Sequence, residues 1–243
     1  TTPALGSKIN PAIIYAAKKC GVKKIYKTGG AHSIAAFAYG SRTFEKVDKI
    51  VGPGNTFVAN AKKEVFGDVG IDMVAGPSEV TVVADSYSNP DWIAADLIAQ
   101  AEHDTFAQSI LISNNQNLIK SVNLSLREQL IDLPKKNIAS KSLKNFGLSI
   151  YAKSEKFIVE IINAIAPEHL ELNLKNNNNI LKKIKNAGSI FIGKFSPEAM
   201  GDYIAGPNHV LPTSGSAKFA SGLSVNDFLK RHSIIKISKT GIE

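Results

Sequence analysis

Cysteine is almost missing from this sequence: Cys20, in "YAAKKCGV", is the only one. A single thiol closes no disulfide framework and builds no cysteine metal cluster, so stability has to come from packing, and a reducing compartment fits. The helix-like run around Cys20 puts it on an apolar helix face. Long apolar runs are missing too. None approaches the roughly 18 to 20 residues of a membrane span, and no charged start leads through an apolar stretch to a small-residue cleavage site. The chain therefore reads as soluble and cytoplasmic, with no membrane partner. Positive charge is in excess, +8 overall, but the lysines are scattered through "KKIYK", "LPKKN", "KSLKN" and "LKKIKN" without interleaved aromatics. They read as solvated faces, and no nucleic-acid partner is expected.

The 243 residues, 44% of them hydrophobic, suffice for one large domain or two modest ones with real cores. Thr1 rather than methionine opens the chain, as in a processed protein or a piece of a longer one. Up to residue 77, helix-like and strand-like segments alternate: a helix near Asn10 to Cys20, a strand "KKIYKT", a helix "HSIAAFAYG", a strand "VDKIVG", a helix "NTFVANAKKEVFG" and a strand "IDMVA". The break "AGPSE" leads into a buried strand, "VTVVAD". A second series follows: helix "PDWIAADLIAQAEHD", strand "QSILIS", a helix from Asn117 to Ile131, strand "GLSIYA", and helix "SEKFIVEIINAIA" stopped by Pro167. A short strand around "LEL", a helix "ILKKIKNAG" and a strand "SIFIG" complete it. Leu133 to Asn145, rich in lysine and asparagine, is the most loop-like stretch. This alternation predicts an α/β protein of two Rossmann-like units, with mostly parallel sheets covered by helices and a boundary near Gly76 to Ser78.

Several stretches have the chemistry of sites. "VGPGNTF" is a strand entering a glycine turn that opens a helix, a setting that suits an anion or a plain tight turn; Phe57 stands where a dinucleotide fingerprint needs its third glycine. "TGGAHSIAAF" is a second such turn, with His32 at its mouth as either a capping or a surface residue. In "AQAEHDTF", Gln100 and His103 are three residues apart, so on a helix they share a face and form either a polar end or half of a metal site. "APEHLEL" sets Glu168 beside His169, the minimum equipment for moving protons near neutral pH, or else a solvated turn. "GDYIAGPNHVLPT" holds Asp202 and His209 around a Gly-Pro break. A zinc site would accept these nitrogen and oxygen donors, which leaves three candidate ligands and no fourth.

"VGPGN", "IDMVAGPSE", "AQAEHD", "APEHLEL" and "GDYIAGPNHVLPTSG" occur in this order and spacing in the histidinol dehydrogenase family, which the chain resembles from "AAKKCGV" to "FLKR". The resemblance implies a zinc-dependent, NAD-linked oxidation of L-histidinol to L-histidine through the aldehyde, in the last steps of histidine biosynthesis. It implies one zinc ion per protomer, held by Gln100, His103 and Asp202, with the substrate on that ion. Ser78, His169 and His209 would also contact substrate, and Asn55 would contact NAD. His169 would take the hydroxyl proton, and Glu168 would activate the water that adds to the aldehyde. His32 stands where the family has glutamine, at a position associated with NAD. The resemblance divides the chain into an NAD-associated unit, 1–77, lacking its N-terminal part, a zinc- and substrate-binding unit, 78–223, and the start of a truncated C-terminal segment, 224–243. In the family that segment continues into helices that carry a further zinc histidine and a substrate glutamate across a homodimer. Two rival readings are a degenerate zinc-binding homologue without turnover and a zinc hydrolase that uses Glu168.

Overall fold

The computed structural model describes residue 1 and residues 8–241. Helix α1 (Pro11–Lys19) begins where the Asn10 side chain accepts the Ala12 N–H, with proline in the first turn, where its missing N–H costs nothing. An apolar helix face is buried only where another element covers it, and α1 buries none of its residues. Cys20, at its end, is exposed, which corrects the apolar home read for it. "KKIYKT", expected as a strand, joins neither sheet among the described residues. It is anchored by a ring instead: Tyr26 packs on Phe37 and Phe44, with centroids 5.1 and 4.8 Å away.

Helix α2 (Ala31–Tyr39), strand β1 (Lys49–Ile50), helix α3 (Thr56–Val65) and strand β2 (Gly70–Ile71) form the first unit. β1 and β2 pair in parallel over two residues only, Lys49 opposite Gly70 and Ile50 opposite Ile71. Ile34, Ala38, Ile50, Val65 and Val69 make its small core.

The larger sheet begins with β3 (Glu79–Ala84), followed by α4 (Pro90–Ala101), β4 (Gln108–Ser113), α5 (Gln116–Gln129), α6 (Lys136–Phe146), β5 (Gly147–Tyr151) and α7 (Glu155–Ile165). Then come β6 (His169–Asn173), the single turn α8 (Asn178–Leu181), β7 (Ser189–Ile192) and α9 (Ala199–Tyr203). All five strands are parallel, in the order β5-β4-β3-β6-β7. Alternation along the central strands assigns their faces: Val80, Val82, Ala84 and Leu111 pack with α4 and α5, while Val83, Ile110 and Ile112 pack with α7. The parallel sheets covered by helices are those the alternation predicts. No helix among the described residues is long and apolar enough to cross a membrane.

Two local expectations fail for tertiary reasons. The stretch read as most loop-like contains α6, because Ala139 and Ser142 turn one face inward and the Ser142 hydroxyl donates to the Ala107 carbonyl at 2.8 Å. The helix expected over "ILKKIKNAG" ends at Leu181. There the Asn163 side-chain oxygen captures the Lys185 and Asn186 N–H groups at 2.7 and 3.2 Å and draws the chain away toward β7.

Candidate active site

In a parallel sheet every strand starts on the same edge. On that edge, beside the first residues of β3 and β6, lies a cavity of about 250 Å³ that gathers Ser78, Gln100, His103, Glu168, His169, Asp202 and His209. Open α/β sheets more often bind ligands at the opposite, carboxyl edge. The amino edge is used here because the last turn of α4, the connection from β2 to β3 and the loop after α9 all converge on it.

Glu168 and His169 are not in a solvated turn. α7 stops with Ala166 as a left-handed cap (φ 53°) whose N–H bonds the Ile162 carbonyl, Pro167 cannot continue the helix, and the buried pair follows with His169 as the first residue of β6. The backbone of Glu79 holds both. Its N–H donates to Glu168 Oε2 at 2.9 Å, and its carbonyl accepts from His169 Nδ1 at 2.8 Å. That contact fixes the proton on Nδ1 and leaves Nε2 as the basic nitrogen, which accepts from His209 Nε2 at 2.8 Å. Burial pushes the Glu168 carboxyl up to about 8, against the Glu79 N–H and the Ser78 hydroxyl, which favour its ionised form. Burial likewise lowers His169 to about 4, opposed by its bond to Glu79. With Glu168 Oε2 and His169 Nδ1 3.7 Å apart, the environment has separated the two titrations in the way acid–base pairs require.

Gln100 and His103 do share the cavity, but not one helix face. α4 ends at Ala101, and His103 lies in the following turn, where Asp104 accepts the Phe106 N–H at 2.8 Å and pulls the chain off the helical path. Gln100 is buried, and its Oε1 has no hydrogen-bond partner. An orphaned buried oxygen is costly and fits a missing electrophile such as a cation. Asp202 Oδ1 stands 3.6 Å from His209 Nε2. Gly201 gives that ring room, because a Cβ there would overlap the His209 imidazole. His169, Glu198 and His209 also bring potential ligand atoms within 4.8 Å of one another. However, both ring nitrogens of His169 and the Nε2 of His209 are already hydrogen-bonded, whereas the oxygen of Gln100 is not.

Sequence reasoning missed Glu198, four residues before Asp202, a spacing that signals one helical face. Its carboxylate lies 3.7 Å from His169 Nε2, its N–H donates to Glu171 Oε1 at 2.7 Å, and burial raises it to about 7. Behind it, burial and the neighbouring Asp96 keep Glu171 well above the ordinary carboxyl range, and burial raises Asp96 to about 6. Glu79 was also missed. Its Oε1 accepts the Ser214 N–H at 2.8 Å, tying the loop after His209 to β3.

His32 and Asn55 do not line the cavity. His32 is exposed and hydrogen-bonded to the Thr28 hydroxyl at 3.2 Å. The Asn55 side chain caps α3 by accepting the Val58 N–H at 3.1 Å. The turn just before it, Gly52 to Gly54, is part of the cavity wall.

The family model described as histidinol dehydrogenase matches residues 1–243. The chain is 59% identical over 242 residues to histidinol dehydrogenase of Pelagibacter ubique, covering 99% of this chain and 56% of that protein. It is 53% identical over 241 residues to the enzyme of that name from Listeria innocua, again covering 99% and 56%. It superimposes on the crystal structure of histidinol dehydrogenase from Elizabethkingia anophelis with a TM-score of 0.93 at 45% identity, over 100% of this chain and 56% of that one. An acetylating aldehyde dehydrogenase from Geobacillus thermoglucosidasius, 12% identical with a TM-score of 0.55 over 93% of this chain and 65% of its own, shares the fold alone. The chain spans about 56% of the curated relatives it matches. A family match along the whole chain, with a cavity built from the motifs "GPSE", "QAEH", "PEHLEL" and "GDY", places this chain in the histidinol dehydrogenase family.

Proposed function

We propose that this chain is the core of a zinc-dependent, NAD-linked enzyme that takes L-histidinol through L-histidinal to L-histidine in the cytoplasm. The observation that carries this reading is the buried Glu168–His169 pair in one cavity with Gln100, whose side-chain oxygen is buried and unpartnered. Gln100, His103 and Asp202 would hold zinc. When bound, zinc would supply a positive centre that orients the substrate's imidazole and amine. Ser78 and His209 would contact the substrate. His169, neutral and with its Nδ1–H committed to Glu79, would take the hydroxyl proton on Nε2 in the first oxidation, for which NAD would supply the hydride acceptor. Glu168 would then take a proton from the water that adds to the aldehyde, and a second NAD would accept the hydride as the hydrate becomes the carboxylate. A carboxyl that titrates at about 8 is a stronger base, once ionised, than an ordinary one.

Residues 1–77 form the NAD-associated unit in this reading, with His32 and Asn55 on the cofactor side. Residues 78–223 form the zinc- and substrate-binding unit, and 224–243 begin a C-terminal segment. The separate sheets on either side of Gly76–Ser78 support that division. The full-length protein would be a homodimer. The test is full-length protein with zinc, L-histidinol and NAD, followed at the NADH absorbance band. Histidinol-dependent NADH formation, abolished by chelation, is the expected result. Zinc binding without NADH would overturn the reading in favour of a non-catalytic homologue. Residues 1–243 alone are expected to bind zinc poorly and to produce little NADH.

A further inference from the structure

The buried charges of the first unit have no place in the mechanism above. Lys62, on α3, has a side chain that is 2% exposed, and that of Asp72, just after β2, is 1% exposed. They form an ion pair. Taking two charges out of water costs more than their attraction returns unless further hydrogen bonds satisfy both partners, and apolar residues of the same size often serve stability as well. The extra hydrogen bonds therefore indicate what the pair does.

Most of them go to one residue of one turn. Lys62 Nζ donates to the Gly52 carbonyl at 2.9 Å, and Asp72 Oδ2 accepts the Gly52 N–H at 2.8 Å. Asp72 Oδ1 accepts the Met73 N–H at 2.7 Å. Both backbone polar groups of Gly52 are thus held by the pair. That grip is needed because Gly52 has φ +120°, which side-chain-bearing residues rarely adopt, and because a Cβ on Gly54 would overlap Val58, so the turn has a flexible glycine on each side of Pro53. Gly52, Pro53, Gly54, Asp72 and Met73 line the same cavity as Glu168 and His169.

We infer that Lys62 and Asp72 are positioning residues that clamp the Gly52–Gly54 turn as the cofactor-side wall of the cavity. The inference rests on the proposed function insofar as NAD is the ligand of that wall. It requires that the pair govern NAD affinity more than stability, zinc binding or histidinol affinity.

The experiment measures NAD binding directly, by calorimetry on full-length protein, beside zinc content, melting temperature and steady-state constants for both substrates. The double variant Lys62→Met/Asp72→Leu replaces the pair with apolar groups and should fold. Its NAD dissociation constant and the KM for NAD should rise about 10- to 100-fold, the scale set by small misplacements of a binding wall. Zinc content and the KM for histidinol should stay the same. Asp72→Asn keeps an acceptor for Gly52 but no charge for Lys62, and should weaken NAD less. Hydrogen exchange gives a check that needs no variant: the Gly52 amide should be protected in the wild type. Folded variants with unchanged NAD affinity, a rapidly exchanging Gly52 amide, or a wild type that binds no NAD would each overturn the inference. A wild type that binds NAD with a clamp-dependent affinity yet does not oxidise histidinol would uphold the clamp and overturn the proposed function.

Discussion

The two units treat buried charge in opposite ways. In the first, Lys62 meets Asp72, and the pair spends its remaining bonds on backbone. In the second, Glu168, Glu171 and Glu198 are buried, burial is the largest cause of the upward shift in each, and no lysine or arginine forms an ion pair with any of them among the described residues. A compensated charge holds a shape, whereas an uncompensated one is left with a displaced titration that chemistry can use. The architecture follows the same division. The first unit has a two-residue ladder and contributes chiefly a backbone turn to the cavity; the second, with five strands and cores on both faces, holds the buried carboxyls that no lysine or arginine pairs among the described residues.

Removing one uncompensated carboxyl should break that contrast most severely. Glu168→Gln in the full-length protein should slow oxidation of the aldehyde by ~10² to 10⁴ while zinc content and histidinol binding persist. Parallel assays with histidinal and histidinol check it, and equal slowing of separately measured hydride steps would argue against a water-activating role. Next in size is His103→Ala, which should weaken zinc binding by at least ~10-fold with the fold intact, because His103 lies in an exposed turn. Metal analysis after dialysis, with circular dichroism, reads both; unchanged zinc would return this turn to a plain helix end.

The pH dependence of stability sharpens the contrast further. In metal-free protein Asp96, Glu198 and Glu168 titrate at about 6, 7 and 8, above their ordinary values of 3.8 for Asp and 4.5 for Glu. Between each pair of values the folded state holds the proton that the unfolded state has lost. This contribution is fully present below the ordinary values and is lost as pH rises through the folded ones. His169 runs the other way: lowered from 6.5 to about 4, it favours the folded state above 6.5 and loses that contribution as pH falls toward 4. From pH 6.5 to 8 the carboxyls act alone, so stability in chelator should fall across that window by roughly 1 kcal/mol per pH unit for each titrating group, read as a falling melting temperature. Glu198→Gln should flatten the fall, and a melting temperature that climbs with pH there would contradict the assignment. The smallest effect belongs to Cys20→Ser, which should change stability by less than about 0.5 kcal/mol in a denaturant melt, since the thiol is exposed.

Much of the fold was legible where neighbouring residues alone decide. "VTVVAD" and "QSILIS" are apolar runs between turn residues and became β3 and β4; Asn89 and Asn115 cap the helices that follow them, as side chains of that kind do. The polar clusters of the second unit were legible as candidates because carboxylate, imidazole and amide groups stood beside chain breaks. α6 was missed because its inward face carries alanine and serine, small residues that give little apolar signal. His103 left its helix for a turn set by Asp104.

The sequence by itself determined the order of the elements, the parallel α/β class and the family, since periodicity, capping and motif spacing are properties of adjacent residues. Only the tertiary structure decided which groups share a cavity and what state they are in. Glu79 and Glu168 lie 89 positions apart in the chain and Asp72 and Gly52 lie 20 apart, and each pair meets through a backbone bond that no local pattern announces. Burial is likewise a property of everything packed around a group. The same Glu-His dipeptide is a solvated turn or an acid–base pair at about 8 and 4 depending on whether strands and loops from elsewhere in the chain exclude water from it.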